Sequence, residues 1–184
     1  MDIAVCFNFT VSYFIYIIKK IIITRWESVY SRLLFMKNLS IELNWALGDR
    51  VLSHGKYLND HKVKINDEIL LNAGSAAEYG GSPNNLNPEQ ALAAAISSCH
   101  MMTFLALAAK MKWPVIAYKD KAIAYLGKNS KGKMSVNKIE LNPKVTFQNN
   151  FSISDEEMKT MQDRSHRYCF IANSLSEEVK VIIN

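Results

Sequence analysis

An α+β domain, with two helices segregated from a largely antiparallel sheet, is predicted by three features of the sequence. Short segments of alternating apolar and polar residues flank one long apolar stretch over 88–111, a second helix signal opens at Ser154, and the chain closes on another alternating run at 178–183. Composition agrees with this. Of 184 residues, 49% are hydrophobic and 21% charged, close to globular averages, which excludes a disordered chain and a small disulfide scaffold. The length suits one domain with an appendage. The formal net charge is +5 with no basic run beyond Lys19-Lys20, so there is no electrostatic footprint for nucleic acid.

Taken in order, segment 39–47 (LSIELNWAL) alternates as a half-buried strand does, and 50–57 follows it after the Gly48-Asp49 turn, which predicts a hairpin. Segment 61–71 repeats the alternation in two short pieces. The stretch 73–87, dense in Gly, Ser, Asn and Pro, reads as a loop. Asn87-Pro88-Glu89 then has the chemistry of a helix start: an Asn cap, Pro at the first helical position and an acid where the macrodipole favours it. The helix is apolar nearly all the way round, which means burial on every side, in a membrane or in a core. Its polar cluster of Ser97, Ser98, Cys99, His100 and Thr103, together with its many alanines, favours the core. Beyond Trp113-Pro114, strands are predicted over 115–126, 134–141 and 143–148, with a turn at 129–133. Ser154 and Glu157 form a capping-box pattern for a helix over 155–167, and 178–183 is the last strand.

Residues 1–35 stand apart from the remaining domain, 36–184. Segment 3–18 is almost uncharged and aromatic-rich, and IIIT follows Lys19-Lys20. It is a poor signal peptide, with an acid at position 2 and no small-residue cleavage site, and it falls short of the roughly 20 residues that span a bilayer. Three readings stay open: a natural start at Met36 with 1–35 mis-assigned, a membrane anchor, or a structured hydrophobic arm.

Three cysteines at distant positions, Cys6, Cys99 and Cys169, with no CxxC pair, argue against a secreted disulfide framework or a zinc ribbon. A reducing, cytoplasmic compartment is expected. Read alone, a mid-helix Cys99 and a post-helix Cys169 fit inert small hydrophobes, working thiols, or, with His100 and His166, metal ligands. The metal reading is weakened by geometry, since neighbouring helical residues point about 100° apart and cannot easily share an ion.

Longer stretches narrow these alternatives. NPEQALAAAISSCHMMTFLALAAKMKW, then AYLGKNSKGKM and LNPKVTF, then SHRYCFIANSLSEEV resemble the osmotically inducible protein C and organic hydroperoxide resistance family (OsmC/Ohr). The resemblance runs from about Trp45 to the C-terminus and leaves 1–35 uncovered. It implies an α+β fold with a long buried central helix, an intertwined homodimer with sites at the subunit interface, and thiol-dependent reduction of organic hydroperoxides in an oxidative stress response. Cys99 matches the family's peroxidatic thiol, Cys169 its resolving thiol and Glu89 the acid that holds a catalytic Arg. The dithiol reductant implied is a lipoyl protein. No metal, flavin or haem is implied.

The chemistry can be followed from the thiols themselves. A thiolate that attacks a peroxide becomes a sulfenic acid, and a second thiol condenses with it to a disulfide. Full ionisation of an ordinary thiol gains only roughly 30-fold at neutral pH. The remainder must come from positioning and from charge stabilisation at the departing oxygen. Glu89 lies ten residues, or about 15 Å of helix, from Cys99, so if it serves the thiol it does so from the partner subunit.

One position departs from the family pattern. Where a Y-x-R-x-H stretch is expected, the chain reads Tyr57-Leu58-Asn59-Asp60-His61, which puts Asn59 in the place of the Arg. An Asn brings no charge, so weakened peroxidase activity, or an OsmC-like ligand-binding protein, is the alternative expectation. Arg50, Arg164 and Arg167 are candidate substitutes, and His61 and His166 are candidates beside the site. Met101, Met102, Phe104, Leu105 and Phe170 are candidate walls of a greasy pocket suited to alkyl or lipid hydroperoxides, against the plainer reading that they are core.

Overall fold

The computed structural model describes residues 39–49, 51–54 and 57–184. The 1–35 extension, Cys6 and Arg50 lie outside the described residues. From Glu42 to Asn184 the chain forms one compact unit. Its elements are β1 (Glu42–Asn44), β2 (His61–Lys64), β3 (Leu70–Ala73), a 3-10 turn (Ala77–Tyr79), α1 (Pro88–Lys110), β4 (Val115–Lys119), β5 (Ile123–Lys128), β6 (Met134–Leu141), β7 (Lys144–Phe147), α2 (Asp155–Tyr168), a second 3-10 turn (Ala172–Ser174) and β8 (Lys180–Ile183). The predicted α+β class is what the chain adopts.

Both helix starts follow their capping chemistry. The Asn87 side chain accepts from Gln90 N while Gln90 reaches back to Asn87 N, and Pro88 fills the first position, where a missing N–H costs nothing. Ser154 and Glu157 make the same reciprocal pair on α2, and these bonds hold the Glu157 carboxyl below its ordinary range.

The strands differ from expectation in three respects. The hairpin of 39–47 with 50–57 does not form: β1 pairs with β2 instead, Leu43 opposite Val63, and residues 51–53 are not strand. The turn signal at Gly48-Asp49 is real, with Gly48 at φ 62°, yet residues 51–53 after it join no ladder. The run 115–126 is two strands in two sheets. β4 pairs with β7, while β5 joins β6 and β8, and Asp120–Ala122 makes the crossing. Finally, β8 runs parallel to β6, beside the antiparallel β5–β6 pair.

Two apolar clusters fix α1. One gathers Ile96, Cys99, Ile139, Leu141 and Cys169, with Leu92, Val136 and Val181 packed round it. The other gathers Phe104, Ala108 and Met161, with Trp113, Val115, Tyr118 and Met158. Thus α1 lies across β5 and β6 with α2 along its C-terminal half. Its opposite face carries Ala91, Ala94, Ala95, Met102, Leu105, Ala106 and Ala109, all exposed in the single chain. The helix is long and apolar enough to cross a membrane. It is nevertheless tied to sheet and helix by its buried stripe of Ala93, Ile96, Cys99, His100, Phe104 and Ala108.

Candidate functional site

Helix α1 carries Cys99 inward. The residue three positions earlier, Ile96, shares its cluster with Ile139 and Leu141, so the thiol sits over the β6 end of the sheet. Thr103 Oγ1 donates to the Cys99 carbonyl at 2.9 Å, a one-turn bond inside the helix.

Cys169 arrives from the other side. It ends α2 in extended conformation, with its N–H donating to the His166 carbonyl at 3.1 Å. The following 3-10 turn aims the Ala172 N–H at its sulfur, 3.4 Å away. Both cysteines are buried and free, and they share one apolar cluster. Burial, then the neighbouring Cys99, pushes the Cys169 thiol up to about 11 despite the N–H groups of Ala172 and Ile171, which favour a thiolate. Two cysteines seventy residues apart in sequence thus share one buried cluster in the core.

Glu89 is not brought to them. It sits in the first turn of an unbroken α1, and ten residues of rise leave about 15 Å between it and Cys99 in one chain. It borders an open cavity of about 910 Å³ whose walls include Ser97, Ser98, Met101, Tyr118 and Tyr125. At the floor, Ser97 Oγ donates to Asp120 Oδ2 at 2.5 Å and Asn142 N donates to Asp120 Oδ1 at 2.6 Å, which fixes the β4–β5 crossing against the helix.

Asn59 is engaged elsewhere. Its Nδ2 donates to Ser75 Oγ at 3.0 Å, and its Oδ1 accepts from Ser75 N at 3.1 Å. His61 Nδ1 donates to the Asn59 carbonyl at 2.7 Å. Asn59 therefore braces the entry to β2 against the loop after β3, and His61 caps the Asn59 carbonyl. Within that loop, Gly81 runs so close to Ser75 that a Cβ would lie 1.7 Å from its carbonyl oxygen.

The other candidates separate by burial. Met102 is 58% and Phe170 82% exposed, and Leu105 is also exposed, whereas Phe104 is fully buried in the second cluster. Met101 lines the large cavity. Arg164 reaches Met111 Sδ at 3.8 Å beside a smaller cavity of about 240 Å³ with Trp113. Met111 lies twelve residues, or roughly 18 Å, along the helix from Cys99. Arg167 is exposed, and its carbonyl accepts from Asn173. His166 is half-buried with its Nδ1 enclosed and unpartnered. Among the described residues, no three His, Cys, Asp or Glu side chains gather as a metal site.

Sequence reasoning missed Gln162. Its Oε1 accepts from Nε2 of the fully buried His100 at 2.7 Å. Its position two turns before Cys169 is the only trace this leaves in the sequence.

A family model for OsmC-like proteins matches residues 80–184, more than half the chain. A solved OsmC-like protein of unknown function from Vibrio cholerae is 34% identical, with 81% of this chain and 99% of that one covered at TM-score 0.74. This protein belongs to the OsmC-like family. An organic hydroperoxide resistance protein from Legionella pneumophila is 16% identical over 80% of this chain and 96% of its own, at TM-score 0.62. One from Bacillus subtilis is 15% identical over 81% and 98%, at TM-score 0.57. These two share the fold. Comparison with curated proteins gives no match.

Proposed function

We propose that the protein reduces organic hydroperoxides to alcohols. Cys99 attacks the peroxide, releases the alcohol and becomes a sulfenic acid. Cys169 then condenses with it, forming the Cys99–Cys169 disulfide and releasing water. The observation that carries this reading is the burial of both free sulfurs in one cluster, since a resolving thiol must already lie near the sulfur that it resolves. The raised Cys169 thiol fits a resolving role, since burial makes it hold its proton near neutral pH. Regeneration by a dithiol, with a lipoyl protein as the natural class, and a cytoplasmic location complete the proposal.

A homodimer belongs to the same reading, on three grounds. The outer face of α1 is a stripe of small and apolar residues left bare in one chain. Leu43 and Leu70 of the β1–β3 sheet are more than half exposed. Surfaces of this kind mark interfaces. Glu89 is the third: lying about 15 Å of helix from its own Cys99, it would serve the thiol from the partner subunit, across an antiparallel crossing of two α1 helices. The alanines at 91, 94 and 95 permit that close approach.

The test is a pair of variants. Cys99→Ser should reduce organic hydroperoxide turnover to background, whereas Cys169→Ser should still consume one equivalent and accumulate a sulfenic acid that a diketone probe traps at Cys99. Trapping at Cys169 in the Cys99→Ser protein would reverse the roles.

A second reading is favoured by Asn59. With no charge and with both amide atoms engaged by Ser75, it supplies nothing to a departing oxygen, which fits an OsmC-like ligand-binding protein with weak turnover.

A further inference from the structure

Between the two apolar clusters of α1 lies a polar layer that the proposed chemistry does not use. His100 is 0% and Gln162 7% exposed. His100 Nε2 donates to Gln162 Oε1 at 2.7 Å, and Gln162 Nε2 meets Met158 Sδ at 3.6 Å. The imidazole's second nitrogen, Nδ1, is enclosed without a partner. The His100–Gln162 contact is a buried side-chain hydrogen bond from α1 to α2, and the contact around it is apolar, through Phe104, Ala108, Met158 and Met161.

A buried imidazole with one nitrogen unsatisfied is a poor choice for stability, because a hydrophobe of the same size would leave nothing unpaired. What a directional bond adds is register. Apolar side chains tolerate sliding and rotation of one helix on another, while a 2.7 Å hydrogen bond does not, and buried polar pairs are best attested as register devices. The register here sets the sulfurs. His100 adjoins Cys99, and Gln162 lies two turns, about 10 Å, before Cys169 on the same rigid helix. We propose that the His100–Gln162 bond is a positioning contact that holds the Cys169 thiol against Cys99, so that its purpose is the disulfide rather than the fold.

The inference rests on the proposed pairing of the two thiols, but its test needs no peroxide. The Cys99–Cys169 disulfide is equilibrated against glutathione at neutral pH in the full chain, and thermal unfolding of the reduced protein is followed alongside. Changing His100 alone would strand the Gln162 amide, so the informative protein is the double variant His100→Leu with Gln162→Leu. Its melting temperature should equal or exceed the parent's, while its disulfide equilibrium constant falls about tenfold or more, equivalent to a potential about 30 mV less reducing. Gln162→Glu keeps an acceptor opposite His100 Nε2 and should stay close to the parent. A stable double variant with an unchanged constant would overturn the proposal, as would a Glu variant as impaired as the double Leu protein. Peroxidase failure is separate from either result, since a parent chain that ignores peroxide still reports its equilibrium with glutathione.

Discussion

At the scale of single residues, the two cysteines are distinguished by their surroundings rather than by their motifs. Cys169 receives N–H groups from the turn that follows it, but burial outweighs them and the thiol keeps its proton. Both cysteines were legible in the sequence, because SSCHM and CFIANS carry a resemblance that neither Cys has alone. Gln162 was not, because its partner lies 62 residues away and only the packing of the two helices brings them together. His100 makes a pH prediction. Desolvation, outweighing its bond to Gln162 and assisted by nearby His166, holds its imidazole below the ordinary value of 6.5; Asp120 opposes this. The unfolded chain therefore binds a proton that the folded chain refuses, so stability is full above pH 6.5 and falls as pH drops below it, by at most about 1.4 kcal/mol per unit. The carboxylates held low, Glu140, Glu157 and Glu178, matter only as pH falls towards 4.5 and beyond. Denaturant unfolding between pH 7.5 and 5 should show the histidine loss, and the double Leu variant should flatten it. Asn59 gives a second test. If the missing charge limits turnover, Asn59→Arg should raise the rate at least about tenfold over an Asn59→Ala control that breaks the same hydrogen bonds to Ser75 without adding a cation, in line with the several kcal/mol that such donors supply. A rate equal to the control would dismiss Asn59 as the cause.

Among the elements, the helices were the most legible because their ends carry local chemistry. Asn87, Pro88 and Ser154 start helices through bonds within three residues, so no distant partner is required. Strands depend on partners. Segment 50–57 has an alternating pattern and a real turn before it, yet Val51 is 77% exposed and β1 takes β2 as its neighbour. The side chain of Trp45 marks that choice, its indole donating to the Leu58 carbonyl at 3.1 Å across the connection. For 115–126, the charged run Lys119-Asp120-Lys121 interrupts the apolar pattern at the crossing, a break that reading the segment as one strand passes over. Burial of α1 on every side is half met within one chain, and the bare face is where a second copy is proposed. Ala94→Arg would set two guanidinium groups against each other at the crossing point while changing an exposed residue of the monomer. Sedimentation should then show a monomer that keeps its helical content. A variant that remains dimeric would place the two-fold axis elsewhere.

Over the whole molecule, an ordinary composition and a modest positive charge excluded classes of function without selecting one. The selection came from the family and from two sulfurs that the fold buries in one cluster. Three short sheets and two helices leave large apolar areas uncovered in a single chain, which is intelligible for a protein whose active unit is proposed to be a pair. The parallel β8 has a purpose in this plan: Val181 pairs with Ile139, the fully buried neighbour of both cysteines, so the C-terminal strand closes the wall behind the thiols. The central claim is that these thiols are a peroxidase couple. It is tested most directly by treating the reduced protein with a slight excess of cumene hydroperoxide, repeating with hydrogen peroxide, and mapping the products by intact mass and peptide analysis. A Cys99–Cys169 disulfide that forms rapidly, and faster with the organic peroxide, is the predicted result; two thiols still reduced after minutes would contradict it.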